Sequence, residues 1–375
     1  MNLGDPAEQR ELRESVRRFL VERAPVARVR ELMETADATD ADVWRLAGTQ
    51  LGLQAIAIPE EYGGAGFSFV EQAIVLEELG GALYGGPYLA SAVLAATALL
   101  ASEDEGARHD LLPGIASGET IATLAFTEDD GSWDPAAIRL TAAQQTQNGW
   151  RLDGHKSFVL DGHAASLILA VAATDNGPPG LSLFAVDGAA EGLSRRALPT
   201  LDQTRKLARL EFAGVPGRLI GSPGAGRAVL DHAMDVAAVA LAAEQLGGAQ
   251  RALDMAVEYA KIRYQFGRPI GSFQAIKHRC ADLLLEVESL RSAVGYAAAA
   301  VAESSTEVPV LAALVKAYAS DVYSHVAGEN VQIHGGIGFT WEHDAHLYLK
   351  RAKASELFLG DASYHRERLA TRIGL

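Results

Sequence analysis

The spacing of apolar residues changes twice along this chain. To about residue 120 they recur at helical intervals, with Leu12, Val16, Phe19 and Leu20 on one face. Asp5-Pro6-Ala7-Glu8, which opens that run, offers an N-cap acceptor, a proline suited to the first helical position and an acid in the first turn. Glycine-rich breaks at Gly63-Gly64-Ala65-Gly66 and Gly80-Gly81 divide off further helices, one of them the Ala/Leu-rich run 91–101.

Between about residues 121 and 222 the period shortens. Segments 121–126, 150–152, 166–173, 181–186 and 206–212 read as short strands. Turn chemistry separates them at Asn148-Gly149, Asp153-Gly154, Asp161-Gly162 and Pro178-Pro179-Gly180. Strands clustered without intervening helices predict a small antiparallel barrel or sandwich rather than a doubly wound sheet. From Gly224 helical spacing returns, in long Ala/Leu/Val-rich segments with few breakers before Gly335. The expected organisation is an α+β multidomain chain: an N-terminal α-helical domain over 1–120, a middle β domain over 121–223 and a C-terminal helical bundle over 224–375.

Charge narrows the classes of partner. Lys+Arg 33 against Asp+Glu 48 leaves a net charge of -15, which argues against nucleic acid or an anionic membrane. A local basic patch for a phosphorylated ligand such as coenzyme A stays compatible with it. The single cysteine, Cys280, excludes an intramolecular disulfide, and among Ala281, Leu283 and Leu284 it reads as packing. A cytoplasmic, reducing location fits. The apolar runs 92–101 and 167–173 are too short to span a bilayer. The first residues, charged from Glu8 onward, read as neither a signal nor a transit peptide.

Two segments carry the chemistry. One runs Arg263-Tyr264-Gln265-Phe266-Gly267-Arg268-Pro269-Ile270-Gly271-Ser272-Phe273-Gln274, the other Gln332-Ile333-His334-Gly335-Gly336-Ile337-Gly338-Phe339. A pyrophosphate wants a guanidinium, an adenine wants an apolar shelf and a polar edge, and glycines admit a dinucleotide where a Cβ would clash. Phe126-Thr127-Glu128 followed by Gly131-Ser132, and Gly154-His155-Lys156-Ser157-Phe158-Val159-Leu160, add two more segments in the β region. Together these resemble the flavin-binding signature of the acyl-CoA dehydrogenase family, over essentially the whole chain.

The resemblance implies FAD as cofactor and a fold of N-terminal helices, a central antiparallel β domain and a C-terminal four-helix bundle. It implies that Arg263, Phe266 and Gln274 reach across a dimer interface to the neighbouring subunit's FAD, with Gln332, Gly335 and Gly336 as the second element. Phe126 and Thr127 would lie beside the flavin ring, Thr127 hydrogen-bonding to it, and Ser132 near the pyrophosphate or substrate. Phe158 stands where a tryptophan is frequent, and Leu160 where a threonine is. An aromatic at 158 is equally explained as barrel core. The first loop is one residue shorter than usual, with Asp129-Asp130 where Pro and Gly are common.

Dehydrogenating an acyl thioester needs a dry base for the α-proton and the flavin for the β-hydride. Where most of the family carries its glutamate, this chain reads Leu359-Gly360. Asp361 is one substitute, shorter and two residues along. Glu244 is the other: it continues the apolar stripe Val229, Ala233, Val236, Ala237, Ala240 at helical spacing, where a carboxylate is costly unless paired or functional. Some relatives place the base at the position matching Ala237, two turns away on the same face. The competing explanation is a structural glutamate paired with an arginine such as Arg251.

Ala238, where many relatives have arginine, and Trp341-Glu342-His343-Asp344 are similar to actinobacterial dehydrogenases for sterol side chains and other bulky acyl-CoAs. Some of those work as two unlike subunits. His334 and His343 lack zinc-site spacing, so no metal is expected, and Arg205 reads as a loop anchor. The small residues at 91–101 and 233–243 fit either a roomy pocket or close helix packing.

The function expected is FAD-dependent α,β-dehydrogenation of an acyl-CoA, with electrons passed to an electron-transfer flavoprotein, by a homo-oligomer or by a heterotetramer with a paralogue. Two alternatives stay open: a flavin-holding, non-catalytic partner subunit, and a flavin monooxygenase or oxidase on the same fold.

Overall fold

The computed structural model describes residues 7–35, 39–146, 149–174 and 180–375. Helices come first: α1 (Ala7–Arg23), α2 (Val26–Met33), α3 (Ala41–Leu51), α4 (Phe69–Gly81), a π-helical segment Leu89–Ala95 running into α5 (Ala96–Ala101), and α6 (Glu105–Ser117). Strands follow: β1 (Ala122–Ala125), β2 (Thr141–Thr146), β3 (Gly149–Leu160), β4 (Leu167–Thr174), β5 (Gly180–Asp187), β6 (Leu193–Leu198) and β7 (Leu207–Ile220). Then come α7 (Gly226–Ile262), a hairpin of β8 (Tyr264–Gln265) and β9 (Arg268–Pro269), α8 (Gln274–Ala302), α9 (Val308–His334), α10 (Ala345–Leu357) and α11 (Ala362–Arg372). This is the helical, β-rich, helical order expected from the spacing.

The chain forms two compact units. One comprises the described residues up to Arg30, Phe69–Tyr84 and Ala238–Leu375; the other comprises Glu31–Ser68 and Gly85–Ala237. The division falls within α7.

In the second unit the strands close on themselves. β2 pairs with β3, β3 with β7, β7 with β5 and β5 with β4, and β4 returns to β2 at Ala173 and Thr174. Pairings are antiparallel except at β4, which runs parallel to β1 and β2. Leu152, Ile168, Phe184, Leu210, Phe212 and Val215 fill the interior. Asp153-Gly154, expected as a turn, is a bulge: Gly154 takes φ 130° and the β3–β7 register shifts there. The strand expected over 150–152 therefore continues to Leu160. β2 and the exposed β6 lack apolar alternation, so no pattern announced them. Asn148 and Pro178-Pro179 lie outside the described residues, as does Asp5-Pro6.

In the first unit, α1 buries Val16, Phe19 and Leu20, as the stripe predicts. Gly80-Gly81, read as a break, ends α4, and does so at a close helix crossing. A Cβ on Gly80 would lie 2.0 Å from the Glu244 carbonyl oxygen, and one on Gly247 1.7 Å from that of Glu77. Gly247→Ala is expected to lower stability by about 1–3 kcal/mol through overpacking. Chemical denaturation checks it; an unchanged midpoint would show room between α4 and α7 that the structure denies. No helix among the described residues is long and apolar enough to cross a membrane.

Candidate functional site

In the second unit, the chain leaves β1 at Phe126-Thr127 and is at once stitched to β3. The Thr127 hydroxyl donates to the Ser157 carbonyl at 2.6 Å, and Ser157 N donates to the Thr127 carbonyl at 2.9 Å. Phe126 is buried with its ring centroid 5.9 Å from that of Trp133. Asp129 bonds to the Ser157 hydroxyl and the Arg209 guanidinium and lies 3.1 Å from His155. The Ser157 and Arg209 contacts hold its carboxyl below the usual range. The shortened loop thus uses Asp129 as an anchor. Ser132 is partly exposed; its hydroxyl accepts from Asp134 N at 3.2 Å.

Phe158 is not barrel core. A register shift between Lys156 and Val159 turns it outward at φ 57°, and it is 37% exposed beside Gly131. An aromatic residue in the left-handed region with an open face is strained and half-wetted, as suits a surface that another body covers.

The first unit gathers the other two segments. Ile270, Ile276 and Cys280 pack with Ala256 and Ala260 of α7 and with Ile333, so hairpin and glycine turn share one small core. Burial pushes the Cys280 thiol up, as packing without chemistry requires. Phe266 and Gly267, both at positive φ, form the two-residue loop of the β8–β9 hairpin. Phe266 is 91% exposed, and the Arg263 guanidinium makes no ion pair among the described residues. Gln274 and Gln332 are exposed as well.

Gly335 takes φ 65° and ψ −144°, a conformation open essentially to glycine alone. Gly336 has no such need, and among the described residues, sequence neighbours aside, nothing lies within 4 Å of a Cβ built on it. An exposed, unobstructed glycine is the kind of position where a dinucleotide could approach the backbone closely. Behind the turn His334 stacks on Tyr259 at 4.3 Å and lies 4.2 Å from His343, ring to ring. Burial lowers the His334 pKa, and its Nδ1 lies 2.8 Å from the Asn330 carbonyl. Among the described residues no three His, Cys, Asp or Glu side chains are grouped to hold a metal.

Glu244 lies buried on α7, and its Oε1 accepts from Arg351 Nη1 at 2.7 Å. Arg351, on α10, is itself buried and reaches toward the Tyr84 carbonyl at 3.5 Å. The arginine is thus Arg351 and not Arg251, which lies 3.6 Å from Glu258. Nothing around Arg351 in the sequence announces this partner. Asp361 is exposed and caps α11, its carboxylate accepting from Tyr364 N at 2.7 Å.

Leu359 is fully buried at φ 62°, in a turn held from two sides. Lys316 Nζ donates to the Gly360 carbonyl at 3.0 Å and the Glu356 carbonyl at 3.2 Å. His365 Nε2 donates to the Leu359 carbonyl at 2.9 Å. Burial, aided by the Lys316 charge, pushes His365 down to about 3. Folding therefore excludes a proton that the unfolded chain binds below about pH 6.5. Stability falls as pH drops from there toward 3, by about 1.4 kcal/mol per unit for this one group. His365→Gln, whose amide keeps a donor for Leu359, is expected to flatten that acid limb by one proton. A pH series of unfolding free energies checks it.

A cavity of about 500 Å³ opens in the first unit among α1, α4, α7 and α10, lined by Arg17, Leu20, Glu78, Gly81, Gln250 and Tyr348 among others. None of the candidate site residues lines it. Arg205 is buried in its turn.

Known proteins give the same answer along the whole chain. Family profiles for the acyl-CoA dehydrogenase N-terminal, middle and C-terminal domains match residues 6–119, 123–215 and 224–374. Acyl-CoA dehydrogenase IpdE2 of Mycobacterium tuberculosis is 38% identical over 354 residues, 94% of this chain and 93% of its own length. A variant of the Tcur3481-Tcur3483 steroid ACAD superposes with a TM-score of 0.88 at 34% identity, covering 99% of this chain and 98% of its own. The ChsE4-ChsE5 complex of Mycobacterium tuberculosis gives 0.89 at 31% identity, covering 100% and 99%. The chain belongs to the acyl-CoA dehydrogenase family of flavoprotein oxidoreductases.

Proposed function

We propose that this chain binds FAD and oxidises the α,β bond of a bulky acyl-CoA, such as one with a steroid side chain, passing electrons to an electron-transfer flavoprotein. The observation that carries the reading is that Arg263, Phe266 and Gly336, from the two motif segments, are all exposed: a cation, an aromatic and a glycine with open space around it among the described residues. A steroid ACAD and a two-component complex among the structural relatives support the substrate class and an unlike partner.

When bound, the flavin would supply the acceptor for the β-hydride. The polypeptide supplies the surroundings. Phe158 and the Phe126-Thr127 segment flank the ring, and the Thr127 hydroxyl, its proton on the Ser157 carbonyl, offers a ligand its lone pairs. Arg263, Phe266, Gln274, Gln332 and the Gly335-Gly336 backbone receive the dinucleotide of a second subunit. Glu244 takes the α-proton, with its Oε1 fixed by Arg351.

A second reading has the base supplied by a paralogous subunit. The buried Leu359, the Glu244–Arg351 pair and the capping role of Asp361 favour it. Glu244→Gln separates the two. Loss of acyl-CoA oxidation by about a hundredfold or more, with FAD retained, assigns the base to Glu244. Full turnover in the co-expressed complex assigns it to the partner.

A further inference from the structure

Residues 126–140 leave the barrel between β1 and β2 and carry Phe126, Thr127 and Ser132, three of the candidate flavin contacts. At the root of this excursion sits a fully buried lysine. Lys156 Nζ donates to the Phe126 carbonyl at 3.0 Å and to Glu128 Oε1 at 2.9 Å. The same Glu128 oxygen accepts from Arg139 N and Leu140 N, each at 2.8 Å. One side chain of β3 thereby ties the first residue of the excursion to its last two.

The pair is of the costly kind. Burial pushes the Lys156 ammonium down to about 8, against the pull of Glu128 and Asp130. A well-packed apolar pair of similar volume is often at least as stable as a buried ion pair. What an apolar pair lacks is direction, whereas each donor here is aimed at one oxygen. The next residues of β3 continue the line: Ser157 is laced to Thr127, and Phe158 turns out beside Gly131.

We propose that Lys156 and Glu128 are positioning residues, whose buried ion pair closes the root of loop 126–140 and so sets how Phe126, Thr127 and Phe158 meet the flavin ring. The proposal rests on FAD being the cofactor.

The test compares wild type with Lys156→Met, Lys156→Arg and the double variant Glu128→Met/Lys156→Met, in the holoprotein, co-expressed with its paralogue if FAD is held only there. Glu191→Gln, an exposed change in the turn before β6, is the control. The double variant leaves no charge buried alone, so it reads the proposal even where Lys156→Met fails to fold. Expected are FAD affinity down at least about tenfold, a displaced visible band and a shifted flavin reduction potential in both Met variants, with partial rescue by Lys156→Arg. A double variant with wild-type affinity, spectrum and potential overturns the proposal. A wild-type protein that takes up no FAD, alone or with its paralogue, overturns the cofactor reading and the proposal with it.

Discussion

Arg351→Met is expected to destabilise the fold by about 3–5 kcal/mol, because it strands the Glu244 carboxylate inside the first unit without its cation. Both partners are buried and 2.7 Å apart, so little water reaches either to take the other's place. Glu244→Met/Arg351→Met removes both charges and is expected to regain most of that loss. Equilibrium unfolding of the two single variants and the double variant gives the coupling directly. Additive effects would mean that the two side chains act independently. The double variant also bears on chemistry. If Glu244 is the base, a folded, FAD-loaded double variant loses turnover by a factor of about 10²–10⁴. If it is only structural, turnover persists.

The second large effect is at Gly336. Gly336→Val is expected to weaken FAD binding by about a hundredfold, about 2.7 kcal/mol, while the unfolding midpoint of the apoprotein stays within about 0.5 kcal/mol. Among the described residues, sequence neighbours aside, nothing lies within 4 Å of a Cβ there, so little penalty is expected from the fold itself. Phe266→Ala is expected to act in the same direction, since a side chain 91% exposed contributes little to its own fold. Fluorimetric FAD titration beside thermal unfolding checks both. Tight FAD binding by Gly336→Val would remove the glycine turn from the cofactor site.

Spacing alone showed the order of helical and β-rich regions, since apolar periodicity reports which face is buried. It failed where burial was not the cause. β6 is exposed, so no apolar alternation marks it. Asp153-Gly154 carries a turn's composition but bends a strand that β7 holds in place.

The hairpin tip, the glycine turn and Phe158 are exposed, and only the resemblance had singled those residues out. The partners that hold the site were hidden. Arg351, Lys316 and His365 meet Glu244 and the Leu359 turn only through tertiary packing, and Lys156 meets Glu128 across two elements. Apart from His365 and Leu359, which are six apart, each contact joins residues far apart in sequence, so neither composition nor spacing reports it.

The most direct test of the central claim is the anaerobic visible spectrum of the purified protein, alone and co-expressed with its paralogue, as acyl-CoAs of increasing bulk are added. The expected result is a yellow protein whose flavin band bleaches with at least one bulky acyl-CoA and recovers when an electron-transfer flavoprotein is supplied. A flavin that no acyl-CoA bleaches in either preparation, or that oxygen reoxidises rapidly with product bound, would contradict it.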